Sequence, residues 1–397
     1  MTRLKSRIYS FIVSISMLVF ILPTSAVSAQ TLQAKTLSDA LVKTSMATSS
    51  ESNGALSLKL NGEGLSKNEQ QQFTQVSKLL NNLQVVYNTK TSASKDGKVS
   101  KQYIKTVANV GGTPYNAELW SDMNIKGKNV IAKEIVKSPQ LIKMISQPKN
   151  INKYMIMDFS QGKNGSIDLK KMMSGNKGLQ KLILTIAQKY SSQLDLKGIV
   201  TNDGNVYKIK IDDAKFKEII RKVVNITAKD KEIQNLIKNY MVTSMSNSGA
   251  STKDINNTKV QMEQMFTNLQ SQKFLDAFNK NMDKLDKIKI LGNKGIEIAY
   301  TIDKNGYVKS TKGNIEIVID TAKLESAFGK TTSQSSLKGK YTANIKFEVN
   351  NKNINKKVNV KLPKITSKNS FNYTELINGM QQTQKVKAPN EVIKSSN

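Results

Sequence analysis

Residues 84–137 read QVVYNTKTSASKDGKVSKQYIKTVANVGGTPYNAELWSDMNIKGKNVIAKEIVK. Apolar and polar residues alternate in four runs of this stretch: Val85 to Tyr87, Gln102 to Val110, Tyr115 to Trp120 and Val130 to Val136. A period of two is typical of half-buried β-strands. Short turn sequences such as Lys95-Asp96-Gly97 separate the runs, so neighbouring strands follow one another directly and are antiparallel. The stretch therefore predicts long antiparallel strands joined by tight turns.

Helical and strand patterns alternate on both sides of this stretch. Before it, we predict a helix over 36–46, a strand around Leu56 to Leu60, and a helix that starts at the capping box Ser66-Lys67-Asn68-Glu69. After it, Ser138-Pro139 predicts a helix start. Up to residue 211, we then predict a strand over 153–159, helices over 167–173 and 179–194, and strands over 198–201 and 206–211. A helical region follows, with helices capped at Asp212 or Asp213 and at Asp230, a flexible loop over 243–257 and a helical stretch over 260–285. The last predicted elements are strands over 288–291, 296–302 and 315–319, a short helix around Leu324, and strands over 341–349 and 358–362.

This order of elements predicts an α+β fold. Neither a Gly/Ser linker nor a Pro-rich hinge divides the middle of the chain. We therefore expect one domain over residues 30–384, in which helices pack on one face of a large, curved antiparallel sheet, a half-barrel. The tail over 385–397 is expected to be disordered.

Residues 1–29 have the composition of a secretory signal peptide. Arg3, Lys5 and Arg7 form a positive region, Ile8 to Leu22 an apolar region, and Val27-Ser28-Ala29 a small-residue cleavage site. The apolar region is shorter than the roughly 20 residues that span a bilayer, so cleavage is favoured over a retained anchor. The sequence thus predicts a secreted protein, with association to the cell wall as an open alternative.

The absence of Cys and His from the composition excludes several kinds of chemistry. The chain contains 0 Cys and 0 His. It therefore has no disulfide framework, no thiolate nucleophile, no cysteine to carry a lipid anchor, and no imidazole for a Ser-His-Asp triad or a zinc motif. Together with the lack of a nucleotide-binding glycine motif, this predicts a protein that is not an enzyme and carries no cofactor or metal.

Lysine dominates the charge of the chain. Removal of residues 1–29, which carry three basic residues and no acidic one, lowers the formal net charge from +31 by three, to +28. Arg221 is then the one remaining arginine, and aromatic residues make up 6% of the chain, so a nucleic-acid partner is not expected. Anionic cell-wall polymers or lipid head groups suit a diffuse lysine surface better. A low-GC genome, which enriches Lys, Asn and Ile, is an equally good explanation of the charge.

Methionines supply the candidate binding site. Methionine is flexible and polarizable, so a methionine-rich sheet and helical lid suit a pocket for acyl chains. The alternative is that these residues are ordinary core. The candidate pocket residues are Met155, Met157, Met172, Met241, Met262, Met265 and Phe266.

The order of elements resembles the LolA/LppX-like lipoprotein-carrier fold. Three segments are also similar to uncharacterised secreted proteins of low-GC Gram-positive bacteria, which often precede a copper-amine-oxidase-N-like stalk domain; that domain is absent here. The segments are Lys137 to Leu141 with Lys153 to Asp158, Ile288 to Glu297, and Val360 to Pro363. The resemblance covers about residues 36–380 and implies the half-barrel fold, while it assigns no catalytic residue.

Two functions are compatible with these observations. The first is a non-enzymatic cell-envelope protein that binds a lipid or another apolar ligand between sheet and helical lid. The second is a cationic, wall-associated structural protein that binds anionic polymers and holds no internal ligand. Both are peripheral to the membrane at most, and the sequence does not indicate the oligomeric state.

Overall fold

The computed structural model describes residues 32–81, 83–126, 129–145, 150–160, 198–247, 250–329 and 338–373. The predicted signal peptide, the helices predicted over 167–173 and 179–194, and the predicted tail over 385–397 lie outside the described residues.

Twelve strands form one large open sheet, in agreement with the predicted mixed α+β fold. The strands are β1 (Ser49–Glu63), β2 (Gln84–Ala93), β3 (Val99–Val110), β4 (Thr113–Lys126), β5 (Asn129–Lys137), β6 (Tyr154–Asp158), β7 (Val200–Asp203), β8 (Val206–Ile211), β9 (Leu291–Ile302), β10 (Val308–Asp320), β11 (Lys340–Lys352) and β12 (Ser370–Asn372). Their order is β12-β6-β5-β4-β3-β2-β1-β11-β10-β9-β8-β7. All neighbours are antiparallel except β12, which runs parallel to β6.

Eight helices belong to the described part of the chain. They are α1 (Leu32–Ser45), α2 (Lys67–Leu80), α3 (Pro139–Ile145), α4 (Asp213–Thr227), α5 (Lys231–Asn247), α6 (Thr252–Gln270), α7 (Gln272–Asp286) and α8 (Thr321–Phe328). The predicted start signals are confirmed: Ser66 and Glu69 form a reciprocal capping box, and the Asp212 side chain caps α4.

The two faces of the sheet differ in polarity over its middle strands, whereas at β4 and β5 the buried residues Trp120 and Ile135 lie on the less apolar face. Residues that pair directly in antiparallel strands share a face, so the register assigns every strand position. One such row joins Leu56 to Phe347 on one side and to Val85 on the other. We call the face that contains these residues the apolar face and the opposite one the polar face.

Most helices with core residues pack on the apolar face. The main core lies over β7 to β10, where fully buried residues of α1 and α4, such as Leu37 and Phe216, join Ile211 and Ile296 of the sheet. A smaller core at the other end joins Ile142 of α3 to Val136 and Met155. The strands between these two cores therefore have less cover from the described residues.

Several sequence predictions in the C-terminal half were wrong. The loop expected over 243–257 is largely helical, because α5 continues to Asn247 and α6 begins at Thr252 after the cap residue Ser251. The single helical stretch expected over 260–285 is divided at Ser271, whose hydroxyl caps α7.

The strand predictions also need two corrections. Two strands were expected over 288–291 and 296–302, but β9 is one strand with an irregularity near Gly295, whose φ is 59°. Residues 358–362 were expected to form a strand, but they belong to no strand of the sheet. Strand β12 was not predicted.

Candidate functional site

The middle of the apolar face is the candidate site. It consists of the inward positions of four adjacent strands, β11, β1, β2 and β3, and we call it the central apolar face. Its apolar residues include Leu56, Leu58, Leu60, Val85, Tyr87, Ile104, Ile345, Phe347 and Val349. None of these side chains is fully buried by the described residues, and Leu56 is 36% exposed.

The central apolar face carries no charged residue on its four strands. Every Lys and Glu of β11, β1, β2 and β3 lies at a position whose register places it on the polar face. The four strands thus keep all of their charges on one face, in a chain with a net charge of +31. Partly exposed apolar residues without charged neighbours are typical of a binding surface.

Two glycines allow aromatic rings to lie across this face. Gly54 pairs with Tyr87, and Gly313 pairs with Phe347. A Cβ atom built at Gly54 would come 2.4 Å from the Tyr87 ring, and one at Gly313 would come 2.1 Å from the Phe347 ring. Each ring thus occupies the space that a larger residue would fill, which keeps the apolar layer over the sheet thin.

The polarity of the central apolar face changes along the direction of the strands. At one end, rows of uncharged polar side chains cross the sheet, among them Ser52, Thr91 and Gln102. At the other end the rows are apolar, as in the row that joins Phe347, Leu56 and Val85 described above. Burial raises the pKa of Tyr87, so its phenol is neutral at physiological pH. The face can therefore offer hydrogen bonds at one end and apolar contact at the other, without ionic chemistry.

The predicted methionine pocket is divided between separate parts of the fold. Met155 and Met157 belong to the small core at the β6 end. The helical residues lie on α5 and α6, where Met262 and Phe266 are buried and Met241 and Met265 are exposed by 41% and 45%. Met172 lies outside the described residues. The Met-lined pocket for an apolar ligand stays a prediction.

Sequence reasoning did not identify the central apolar face as a site. The alternation of Leu56, Leu58 and Leu60 predicted a strand correctly, but it did not show that β11 would lie beside β1. A usable signal was present: each of the four strands has no charge at every second position.

The strongest polar cluster in the core has a structural role. Lys217 is 3% exposed, and its Nζ lies 2.6 Å from Asp213 Oδ2 and 2.6 Å from the Ile288 carbonyl oxygen. Asp213 Oδ1 accepts hydrogen bonds from the backbone N–H groups of Ile290 and Leu291. Both charged groups are thus satisfied within the protein, and together they fix α4 to the start of β9.

A cleft of about 630 Å³ lies at the end of β1, β11 and α8. Its lining includes Glu63, Asp320 and Glu325 together with Lys338 and Lys340. Lys340 Nζ lies 3.2 Å from Glu63 Oε2, so the opposite charges partly neutralise each other. None of the predicted pocket residues lines this cleft.

Two classes of site have no support in the described part of the chain. No group of three or more acidic side chains there is placed to hold a metal ion. None of the helices described above combines the length and the apolarity that a membrane crossing requires.

Comparison with protein-family models, curated proteins and solved structures finds no match. The assignment of the site therefore depends on its geometry and chemistry.

Proposed function

We propose that this protein is a non-enzymatic, secreted protein of the cell envelope that binds a lipid acyl chain, or another apolar ligand, on the central apolar face. The observation that carries the proposal is a charge-free, partly exposed apolar surface on four adjacent strands of a lysine-rich chain. Residues 1–29, with their signal-peptide pattern, support secretion.

A carrier fold of the LolA/LppX type is part of the same proposal. Its support is the large open antiparallel sheet, together with helices whose core residues pack on its apolar face. In such an arrangement the ligand lies between sheet and helices, and the ends of the sheet that already have helical cover supply rigidity.

The chemistry of the face suggests how a ligand would lie on it. An acyl chain would contact the apolar rows around Leu56, Leu58 and Val85. An uncharged head group would then reach the polar rows that contain Ser52, Thr91 and Gln102. Each buried methylene contributes about 0.8 kcal/mol, which corresponds to roughly a fourfold gain in affinity.

The test is a titration of the protein without residues 1–29 with fluorescent fatty acyl probes of increasing chain length. We expect affinity to rise by about fourfold for each added methylene until the face is filled. Native mass spectrometry of the purified protein gives an independent measurement, because a carrier is expected to retain lipid.

A matched pair of variants tests which face of the sheet the ligand contacts. Leu56 and Val86 are exposed by 36% and 39%, lie on neighbouring strands, and face opposite sides of the sheet. Leu56→Gln is expected to weaken probe binding by about tenfold, while Val86→Gln leaves it within twofold, since one lost apolar contact is worth about 1 to 2 kcal/mol. Equal effects of the two variants, or affinity that is independent of chain length, would contradict the proposal.

A further inference from the structure

Residues 353–369 form a basic strap that crosses from one part of the sheet to another. At its start, the Asn355 N–H donates to the Ser49 carbonyl of β1 at 2.8 Å. At its end, the Tyr154 N–H of β6 donates to the Asn369 carbonyl at 2.9 Å. Strands β2 to β5 lie between β1 and β6, so the strap spans four intervening strands.

The strap is fixed to the protein by alternate residues. Val358 and Val360 are each 7% exposed, while Lys357, Asn359 and Lys361 between and beside them are exposed. The hydroxyl of Ser49 also donates to the Lys356 carbonyl at 2.7 Å. The alternating pattern that predicted a strand therefore buries Val358 and Val360 against the protein and leaves Lys357 and Lys361 exposed to solvent.

The charges of the strap are of one sign. There is no acidic residue between Val349 and Tyr373. The strap contains five exposed lysines, and none of them forms an ion pair with a described residue; they are Lys356, Lys357, Lys361, Lys364 and Lys368. An extended chain of this length places them along a line of at most about 40 Å.

The polar face of the sheet shows the opposite arrangement. Several of its lysines lie beside carboxylates of neighbouring strands: Glu51 lies within 4.0 Å of both Lys90 and Lys352. Lys312 pairs in the same way with Glu348 at 3.3 Å. Neighbouring carboxylates therefore neutralise part of the charge of the polar face, whereas the strap presents five exposed lysines with no acidic residue among them to an external partner.

We infer that the basic strap is a binding site for a linear phosphodiester polymer. A line of lysines that form no ion pair with the described part of the chain is complementary to a chain of phosphates, and binding would release the counterions of both. A membrane surface fits less well, because no large apolar side chain of the strap is exposed for insertion into lipid. This inference is independent of the apolar ligand proposed above.

The experiment measures binding of fluorescently labelled poly(glycerol phosphate) to the protein without residues 1–29, between 50 and 200 mM salt. The test variant is Lys357→Gln/Lys361→Gln/Lys364→Gln. The control is Lys253→Gln/Lys259→Gln/Lys280→Gln, which removes the same charge from exposed positions of α6 and α7. Thermal unfolding confirms that both variants are folded.

We expect the strap variant to bind at least tenfold more weakly at 50 mM salt, with the slope of log affinity against log salt reduced by about 2. The control variant should stay within threefold of the unchanged protein. Equal losses in the two variants would overturn the inference, since net charge alone would then explain binding. Absence of polymer binding would also overturn it, as would binding only to vesicles of phosphatidylglycerol and phosphatidylcholine.

Discussion

The end of the sheet formed by β7 to β10 and its centre differ in how their apolar faces are covered. Over β9, Ile296, Ile298 and Tyr300 are buried beneath helices. Over β3, Ile104 occupies an equivalent inward position and stays partly exposed. The strands are similar in length and pairing, so the difference arises from the helices and not from the sheet.

The covered end and the centre are expected to contribute differently to the stability of the fold. Burial of apolar surface is the main stabilising contribution to a fold, so the covered end is expected to dominate the free energy of unfolding. The centre is expected to contribute less to stability, and it is the surface on which we propose that a ligand binds. Surfaces that bind are commonly less well packed than the cores that support them.

The largest expected effect comes from truncating the same residue type in both regions. Ile298 on β9 and Ile104 on β3 both face the apolar side of strands with a neighbour on each edge. Ile298→Ala is expected to lower the free energy of unfolding by about 3 to 4 kcal/mol, and Ile104→Ala by about 1 kcal/mol, because only the first leaves a closed cavity. Urea unfolding measures both. Similar losses would mean that the centre is as tightly packed as the covered end.

The second prediction compares charged pairs in the two regions. Lys217 at the covered end is 3% exposed beside Asp213, whereas Lys90 on β2 is 45% exposed at 3.8 Å from Glu51. Lys217→Gln is expected to cost about 3 kcal/mol, because it leaves a carboxylate without its cation in a partly buried site. Lys90→Gln should cost well under 1 kcal/mol. The same urea measurements test this, and a large effect at Lys90 would show that the polar face is more important for stability than its exposure indicates.

Features encoded locally were predictable from the sequence. The capping box at Ser66 and the cap at Asp212 depend on residues within one turn of the helix start, and both were identified. The hairpin turns between β2, β3 and β4 are equally local. For such elements, the hydrogen-bonding groups that decide the structure are neighbours in the sequence.

Features that depend on distant partners were not predictable. Strand β1 lies between β2 and β11, and its pairing with Lys340–Lys352 joins residues almost 300 positions apart. The central apolar face exists only because of that pairing. Residues 358–362 show the related difficulty, since alternation reports which side chains are buried but not whether a strand partner is present.

The polar segment 243–257 was misjudged for a different reason. Its Ser, Thr and Asn residues have low helix propensity, which favoured a loop. Packing of α5 against α6 and the Ser251 cap outweigh that preference. Likewise, the methionine spacing on α6 predicted helical contacts but not which partner would bury Met262.

The third prediction uses the two glycines beneath aromatic rings. Phe347, at the β11 side of the central apolar face, also packs against the main core, so its ring has little room to move away from a methyl group at position 313. Tyr87 lies on the central apolar face and is partly exposed. Gly313→Ala is therefore expected to lower the free energy of unfolding by about 2 kcal/mol, and Gly54→Ala by less than about 1 kcal/mol. Thermal and urea unfolding measure both variants, and a larger cost at Gly54 would show that Tyr87 is held rigidly. In that case the ring would belong to a rigid surface and not to one that can adapt its shape.

The smallest expected effect is a pH dependence at α2, which packs beside β1 at the centre of the sheet. Hydrogen bonds from Ser66 and from the Lys338 backbone N–H lower the pKa of Glu69 below its ordinary value. Because the folded-state pKa is the lower one, the stabilisation is present above the unfolded pKa and is lost as pH falls through the folded pKa. Glu69→Gln should therefore be less stable than the unchanged protein at pH 7, and the difference should shrink below about pH 4. Urea unfolding at pH 7, 5 and 3 measures this difference in stability.

Glu218, whose pKa is lowered by Lys222 and Lys215 at the covered end, provides the comparison through Glu218→Gln. A difference for Glu69→Gln that stays constant with pH would show that the capping box acts through geometry and not through the charge of its carboxylate.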